Sequence, residues 1–279
     1  MSVALSSSTD KLCVSSYNST GFGLAAQNYM DTLLLFSDVL CIQEHFLQDC
    51  KDKKHSNTNK LRNKFGNQHD MFIVPAAKDS TQVSRGRAKG WLATLWKKSL
   101  TKYVSKVKCS NFRLQATKFG LPSGDILVIN SYFPCDPRTD NFDDTELVNL
   151  LADLRSTIEQ SECLNVMIAA DLNCHFARYT RFTNHVQDSL QDLNLTILWQ
   201  NPDGNPDHSI EDVSYTHCSV VNKVAHYSTI DHFATSRRVF DDIIEAGVIH
   251  SGENLSNHSA IFIKIKVGNL DLQLEKPSA

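Results

Sequence analysis

The sequence predicts an α/β chain dominated by sheet, a sandwich of strands with a few helices outside it. Three observations lead there. Short apolar runs rich in β-branched residues recur along the whole chain, only three segments carry helical spacing, and no repeat or long linker divides the 279 residues. Hydrophobic residues make up 41 % and charged residues 21 %, which suits one sizeable core and excludes a disordered chain. Lys plus Arg total 28 against 31 Asp plus Glu, a net charge of −3 that excludes a uniformly basic, histone-like protein but leaves room for a local basic face.

Taken in order, strands are expected at Leu12–Tyr17, Val39–Gln43, Met71–Pro75, Leu92–Trp96, Phe112–Phe119, Ile126–Phe133, Val166–Ala170, Ile230–Ala234 and Ile261–Val267. A helix is expected over Leu24–Phe36, after a glycine-bearing turn. A second, Thr145–Ser161, places Leu147, Leu150, Leu151, Leu154 and Ile158 on one face, with Asp144 or Thr145 as its N-cap. A third, Val186–Leu195, has Val186, Leu190 and Leu193 as its stripe. Residues 1–10 are expected to form a flexible N-terminus, 11–267 one domain, and 268–279 a tail or linker.

No apolar run approaches the ~18–20 residues of a membrane span, and the Ser-rich start lacks the pattern of a signal peptide. The eight Cys are scattered singly with no CxxC, so buried free thiols and an intracellular location, nuclear or cytoplasmic, are expected. Positive charge is clustered at Lys51 to Lys64, Arg85 to Lys89, Lys97 to Lys108, and Arg178 with Arg181. Such clusters suit solvated loops or a phosphate-backbone surface, and charge alone does not choose between them.

Polar residues at the ends of apolar runs say more. Asn18 stands where a strand breaks into a glycine turn, Glu44 closes Cys41-Ile42-Gln43, Tyr132 closes Ile126–Ser131, and Asp171 and Asn173 close Val166–Ala170. Asp231 opens one strand and His258 stands just before another. Groups set this way suggest a site built from loops along one edge of stacked sheets. A hard oxygen ligand such as Glu44 suits a magnesium-type ion, a His with an Asp partner suits acid/base work, and amides with a phenol suit developing phosphate charge. No zinc-ligand spacing, P-loop or GxSxG elbow is present. Metal-assisted phosphodiester hydrolysis fits this inventory.

The order Asn18, Gln43-Glu44, Tyr132, Asp171-Leu172-Asn173, Ile230-Asp231-His232 and Ser256-Asn257-His258 resembles the endonuclease/exonuclease/phosphatase superfamily over nearly the whole chain, about Leu12 to Val267. Gln43-Glu44-His45-Phe46-Leu47, Arg87-Ala88-Lys89-Gly90 before Leu92-Ala93-Thr94-Leu95-Trp96, and Asp171-Leu172-Asn173-Cys174 before Arg178 are most similar to the endonuclease domains of LINE-type non-LTR retrotransposons. The resemblance implies a four-layer αββα sandwich and a Mg2+-dependent DNA endonuclease, with Mn2+ as the other ion of that class. It implies metal ligation by Glu44 and by the position of Asn257, a hydrogen-bond network through Asn18, and water activation by Asp171. Phosphate binding would fall to Asn173 and Tyr132, an Asp231–His258 pair would do acid/base or electrostatic work, and Arg178, Thr216 and Ser256 would contact DNA. It further implies a nick with a 3′-hydroxyl, extended by a reverse transcriptase domain of a longer polyprotein, and no membrane partner. His232, beside Asp231, reads as structural.

The chain departs from that pattern in three places. Asn257 replaces the usual Asp of the last motif, keeping an oxygen acceptor but losing the charge. Ala170 and Leu172 change the packing around Asp171 and Asn173, and Trp91 stands where a second glycine is usual. These departures motivate a competing reading, a catalytically decayed nucleic-acid-binding descendant. A phosphoesterase acting on lipid head groups is a third.

Overall fold

The computed structural model describes residues 8–47, 58–75, 91–137, 139, 143–200, 209–210 and 215–271. Its strands are β1 (Ser8–Asn18), β2 (Val39–Gln43), β3 (His69–Val74), β4 (Leu92–Lys97), β5 (Val104–Val107), β6 (Leu114–Leu121), β7 (Gly124–Tyr132), β8 (Asn165–Asp171), β9 (Leu195–Ile197), β10 (Ser209–Ile210), β11 (His217–Val221), β12 (Val224–Ser228), β13 (Asp231–Ser236), β14 (Ile243–Ile249) and β15 (Ala260–Asp271). The helices are α1 (Leu24–Phe36), α2 (Asn59–Phe65), α3 (Thr145–Ser161), α4 (Arg181–Asp192) and α5 (Arg237–Asp241). One sheet runs β10-β14-β15-β1-β2-β4-β3 and the other β5-β6-β7-β8-β13-β9, while β11 and β12 form a separate hairpin. Both sheets are mixed: β1–β2, β10–β14 and β7–β8 pair parallel and the other pairs antiparallel.

Side-chain alternation divides the core into three apolar layers. On β1, Leu12 and Val14 face the second sheet, where they share a cluster with Val39, Phe119, Val128, Met167, Phe233 and Ile263. The opposite face of the first sheet packs Leu40, Ile42 and Leu95 against Tyr29, Met30 and Leu33 of α1 and Leu61 and Phe65 of α2. The outer face of the second sheet packs Leu127, Ile129, Val166 and Ile168 against Leu147, Leu150 and Leu154 of α3 and Phe182, Val186 and Leu190 of α4. Helix, sheet, sheet, helix is therefore the layer order, as expected.

The α1 and α3 bounds coincide with the expected ones. The third expected helix, here α4, begins at Arg181, earlier than expected, because Thr180 caps it: its hydroxyl accepts from Thr183 N–H, and Thr183 Oγ1 accepts from Thr180 N–H. Asp144 occupies the α3 N-cap position without a side-chain cap bond; Asp143 Oδ1 accepts from Thr145 N–H instead. Strand pairing reaches beyond 11–267 at both ends, with Ser8 opposite Asp271 and Leu270 buried in the inter-sheet core. β5, β9, β10, β11, β12 and β14 have no counterpart among the expected strands. Cys13, Cys41, Cys163 and Cys174 are buried free thiols, whereas Cys135 is exposed.

The inter-sheet layer turns polar toward one end. Following the same alternation, Val14 gives way to Ser16 and Asn18, Cys41 to Gln43, Val128 to Asn130 and Tyr132, and Ala169 to Asp171. Gln43 Nε2 donates to Asn130 Oδ1 at 2.8 Å and Ser16 Oγ at 3.0 Å, and Asn130 Nδ2 donates to the Ala93 carbonyl at 3.0 Å. These contacts tie the two sheets together directly beneath the strand ends. Asn130→Ala should therefore cost about 2–3 kcal/mol, because it removes the buried acceptor that Gln43 reaches across the two sheets and the amide that the Ala93 carbonyl accepts from. Leu35→Ala, at a side chain 83 % exposed, should stay within about 0.5 kcal/mol. Urea denaturation of both variants checks this.

Candidate active site

Strand ends and one loop deliver the expected polar residues to one place. Asn18, Gln43, Tyr132 and Asp171 end β1, β2, β7 and β8, Asp231 begins β13, and His258 shortly precedes β15. Asp231 lies directly opposite Asp171 in the antiparallel β8–β13 register. His258 arrives from the other sheet, so the cluster forms only when both sheets are stacked.

The centre is an imidazole between two carboxylates. His258 Nδ1 donates to Asp231 Oδ2 at 2.9 Å, and His258 Nε2 lies 3.9 Å from Asp171 Oδ2. All three side chains are buried. Burial works against the charged imidazole, but the Asp231 and Asp171 carboxylates outweigh it and push His258 up to about 9. Burial and the Asp231 charge also raise Asp171. Ligand-type atoms of these three residues fall within 4.8 Å of one another. Both Asp231 oxygens already face His258 Nδ1, at 3.1 and 2.9 Å, so the positive charge this cluster holds is the imidazolium.

Asn18 links this triad to Glu44. Its Nδ2 donates to Asp171 Oδ2 at 2.9 Å and Glu44 Oε2 at 3.1 Å. Glu44 is half-buried and holds φ 53°, a left-handed turn that breaks β2 at the carboxylate. Tyr132 stays a neutral phenol, its pKa raised by burial and then by the Glu44 and Asp171 carboxylates. Arg113 supports it from below, donating from Nη1 to the Tyr132 carbonyl at 3.0 Å and packing 5.2 Å from its ring. Asn173, at φ 49°, gives its N–H to Asp171 Oδ1 at 2.9 Å and its amide to the Phe133 carbonyl at 2.9 Å.

A cavity of about 330 Å³ opens over these groups, lined among others by Glu44, Tyr132, Asp171, Asn173, Arg178 and His258. Asn257 also lines it, but at the rim, where its Nδ2 lies 2.9 Å from His217 Nε2. A magnesium-type ion takes one or two carboxylates and keeps several waters. Glu44, an oxygen donor at the wall of a polar cavity, fits that requirement. Asn257 brings an uncharged amide turned toward His217, so it fits less well than a carboxylate there.

Two of the expected DNA contacts lie outside the cavity lining. Thr216 is fully buried, and its Oγ1 accepts the Ile230 and Asp231 N–H groups, both at 3.0 Å. It anchors the start of β13 rather than facing the cavity. Ser256 Oγ donates to the Asn18 carbonyl at 2.9 Å and accepts from His258 N–H at 3.1 Å, fastening the His258 loop to β1. Arg178 alone of the three lines the cavity. His232 is structural: its Nε2 bonds the Cys174 carbonyl at 2.9 Å, and burial lowers its pKa to about 4.

The basic clusters also separate. β4 runs antiparallel to β2, with Trp96 opposite Val39, so Lys97 to Lys108 follow the strand end farthest from Glu44. Lys97 is paired there with Asp38 at 2.8 Å. The cluster at Arg85 to Lys89 and residues Lys51 to Lys54 lie outside the described residues. Trp91 is buried at φ 66°, a conformation that suits glycine, and is held by an edge-on contact with Phe46 at 4.7 Å. His217 and Thr20 are cavity residues that sequence reasoning does not single out.

The His258 pKa is raised above its ordinary value of 6.5, so the folded state binds more protons than the unfolded state across that interval. Its contribution to stability is fully present below about pH 6.5 and is lost as pH rises through about 9. Asp231→Asn should flatten that alkaline decline and lower stability at pH 6. Urea midpoints from pH 6 to 10 measure both effects.

No family model and no curated protein sequence matches the chain. Solved structures do. The endonuclease domain of TRAS1, a telomere-specific non-LTR retrotransposon, aligns with a TM-score of 0.60 at 13 % identity, covering 95 % of this chain and 100 % of that one. The AP endonuclease LMAP from Leishmania major aligns at 0.65 and 15 % identity, covering 92 % and 88 %. The 3′ phosphatase NExo from Neisseria, bound to a product DNA hairpin, aligns at 0.63 and 13 % identity, covering 91 % and 99 %. The chain has the αββα fold of the endonuclease/exonuclease/phosphatase family.

Proposed function

We propose that the chain is a divalent-metal-dependent DNA endonuclease that hydrolyses one phosphodiester bond and leaves a 3′-hydroxyl. The observation that carries this reading is the convergence of Asn18, Glu44, Tyr132, Asp171, Asn173, Asp231 and His258 at one end of the sandwich. Likeness in fold to two endonucleases and a 3′ phosphatase supports it.

In this reading Glu44, with Asn257 as the weaker second donor, would hold a magnesium or manganese ion, which would supply Lewis-acid stabilisation of phosphate charge. Asp171 orients the attacking water and receives its proton. Asn18 fixes Asp171 and Glu44 relative to each other through its shared amide. Asp231 holds the His258 ring in place and keeps it cationic, so that Nε2 presents an N–H to the phosphate. The Tyr132 phenol and Asn173 amide contact the same phosphate, and Arg178 meets the backbone beside it. The water oxygen bonds to phosphorus as the P–O3′ bond breaks, leaving a 5′-phosphate, and the departing 3′-oxygen takes a proton from solvent to become a hydroxyl that a polymerase can extend. The TRAS1 likeness supports a retrotransposon setting, in which a reverse transcriptase domain would be the partner that extends the nick. Among the described residues, no helix is long and apolar enough to cross a membrane.

The hydrogen-bonded Asp231–His258 pair and the Glu44–Asn18–Asp171 chain are complete despite Asn257, which favours catalysis over a decayed, binding-only chain. Supercoiled plasmid with magnesium at low salt should be nicked, and His258→Ala should slow nicking by about 10²–10⁴-fold. Asn257→Asp should lower the magnesium concentration needed for half-maximal rate. DNA binding without nicking by folded wild-type protein would establish the binding-only reading instead.

A further inference from the structure

Beside the acid-lined cavity lies a second cleft of about 260 Å³, lined by Arg178, His217, Ser219, Val221, His226 and Ser228. Arg178, His217 and Ser228 wall both spaces. The chemistry of the two differs. The first contains Glu44, Asp136 and Asp171, while the second, among the described residues, has no carboxylate and gathers one guanidinium, two imidazoles and two hydroxyls.

The β11–β12 hairpin builds this wall. Its register pairs His217 with Ser228, Ser219 with His226, and Val221 with Val224. Alternation therefore sets both imidazoles and both hydroxyls on one face of the ribbon. The base of the ribbon is fixed to the His258 loop, because Cys218 N–H donates to the Asn257 carbonyl at 2.8 Å and Ser259 N–H to the Thr216 carbonyl at 2.7 Å. The His217 ring stands 4.7 Å from that of His258. The cleft thus keeps a fixed offset from the triad.

We propose that this cleft is an anion subsite that seats the phosphodiester neighbouring the one in the catalytic cavity, with Arg178 and His226 as its N–H donors and the Ser219 hydroxyl beside them. A pocket of N–H and O–H donors without a carboxylate matches phosphate oxygens. Two phosphate-sized spaces sharing a wall select a substrate with consecutive phosphates, a nucleic-acid strand rather than a lone phosphoester. The nature of that occupant rests on the nuclease reading, whereas the subsite itself does not.

The test uses the full chain with chelator present, following histidine ring protons by NMR. His226 lines the cleft and not the catalytic cavity, so it reports this site alone. Titration with inorganic phosphate, against a chloride series of matched ionic strength, should shift His226 and His217 together and saturably. Arg178→Ala should weaken that titration about tenfold, the scale of one charge-assisted hydrogen bond. Ser219→Asp, which sets a carboxylate in the cleft, should abolish it. A short DNA duplex should reproduce the His226 shift and compete with phosphate. A His226 signal that phosphate leaves in place overturns the subsite, whatever the plasmid assay shows. A shift with phosphate but none with duplex overturns the nucleic-acid assignment.

Discussion

Much of the structure depends on holding one imidazolium between two carboxylates that belong to neighbouring strands. Asp171 and Asp231 face each other across the β8–β13 pairing, and two buried acids so placed would repel each other without a cation. His258 supplies that cation from the opposite sheet and bonds Asp231 at 2.9 Å. The spacing of the two sheets is therefore fixed by a charge balance as well as by side-chain volume. A one-residue slip of β8 or β13 would turn Asp171 or Asp231 to the wrong face.

Other features follow from that constraint. The inter-sheet layer must become polar where it approaches the triad, and Ser16, Gln43, Asn130, Thr94 and Gln115 make that transition with their amides and hydroxyls bonded across the gap. Strand ends must also turn sharply to present side chains to the cavity. Thr20, Glu44 and Asn173 all hold positive φ there, each at a cost of about 1 kcal/mol or more for a residue with a Cβ. Stability is given up where the chemistry is concentrated, and the three apolar layers offset it.

Much of this is legible in the sequence because alternation and function share one pattern. The runs ending in Gln43-Glu44, Tyr132 and Asp171-Leu172-Asn173 signal both the strands and the polar residues at their ends. What escapes has physical reasons. The β11–β12 hairpin turns on Asn222-Lys223, both at positive φ, and a lysine in place of the usual glycine hides that turn type. His217 goes unread with it. Thr216 reads as a DNA contact because its burial depends on how the hairpin docks, which no local pattern records. The place of the Lys97–Lys108 cluster goes unread for the same reason, since spacing along the chain does not tell which end of a strand a lysine reaches.

The ionisation of His258 in the metal-free chain tests the account most directly. A proton NMR titration of its ring should show the imidazolium persisting well above pH 7, with a midpoint near 9, and should fall toward or below the ordinary histidine value in Asp231→Asn. A wild-type midpoint at or below 6.5 would mean that the two carboxylates do not share a cation, and the charge balance on which the site is built would be wrong.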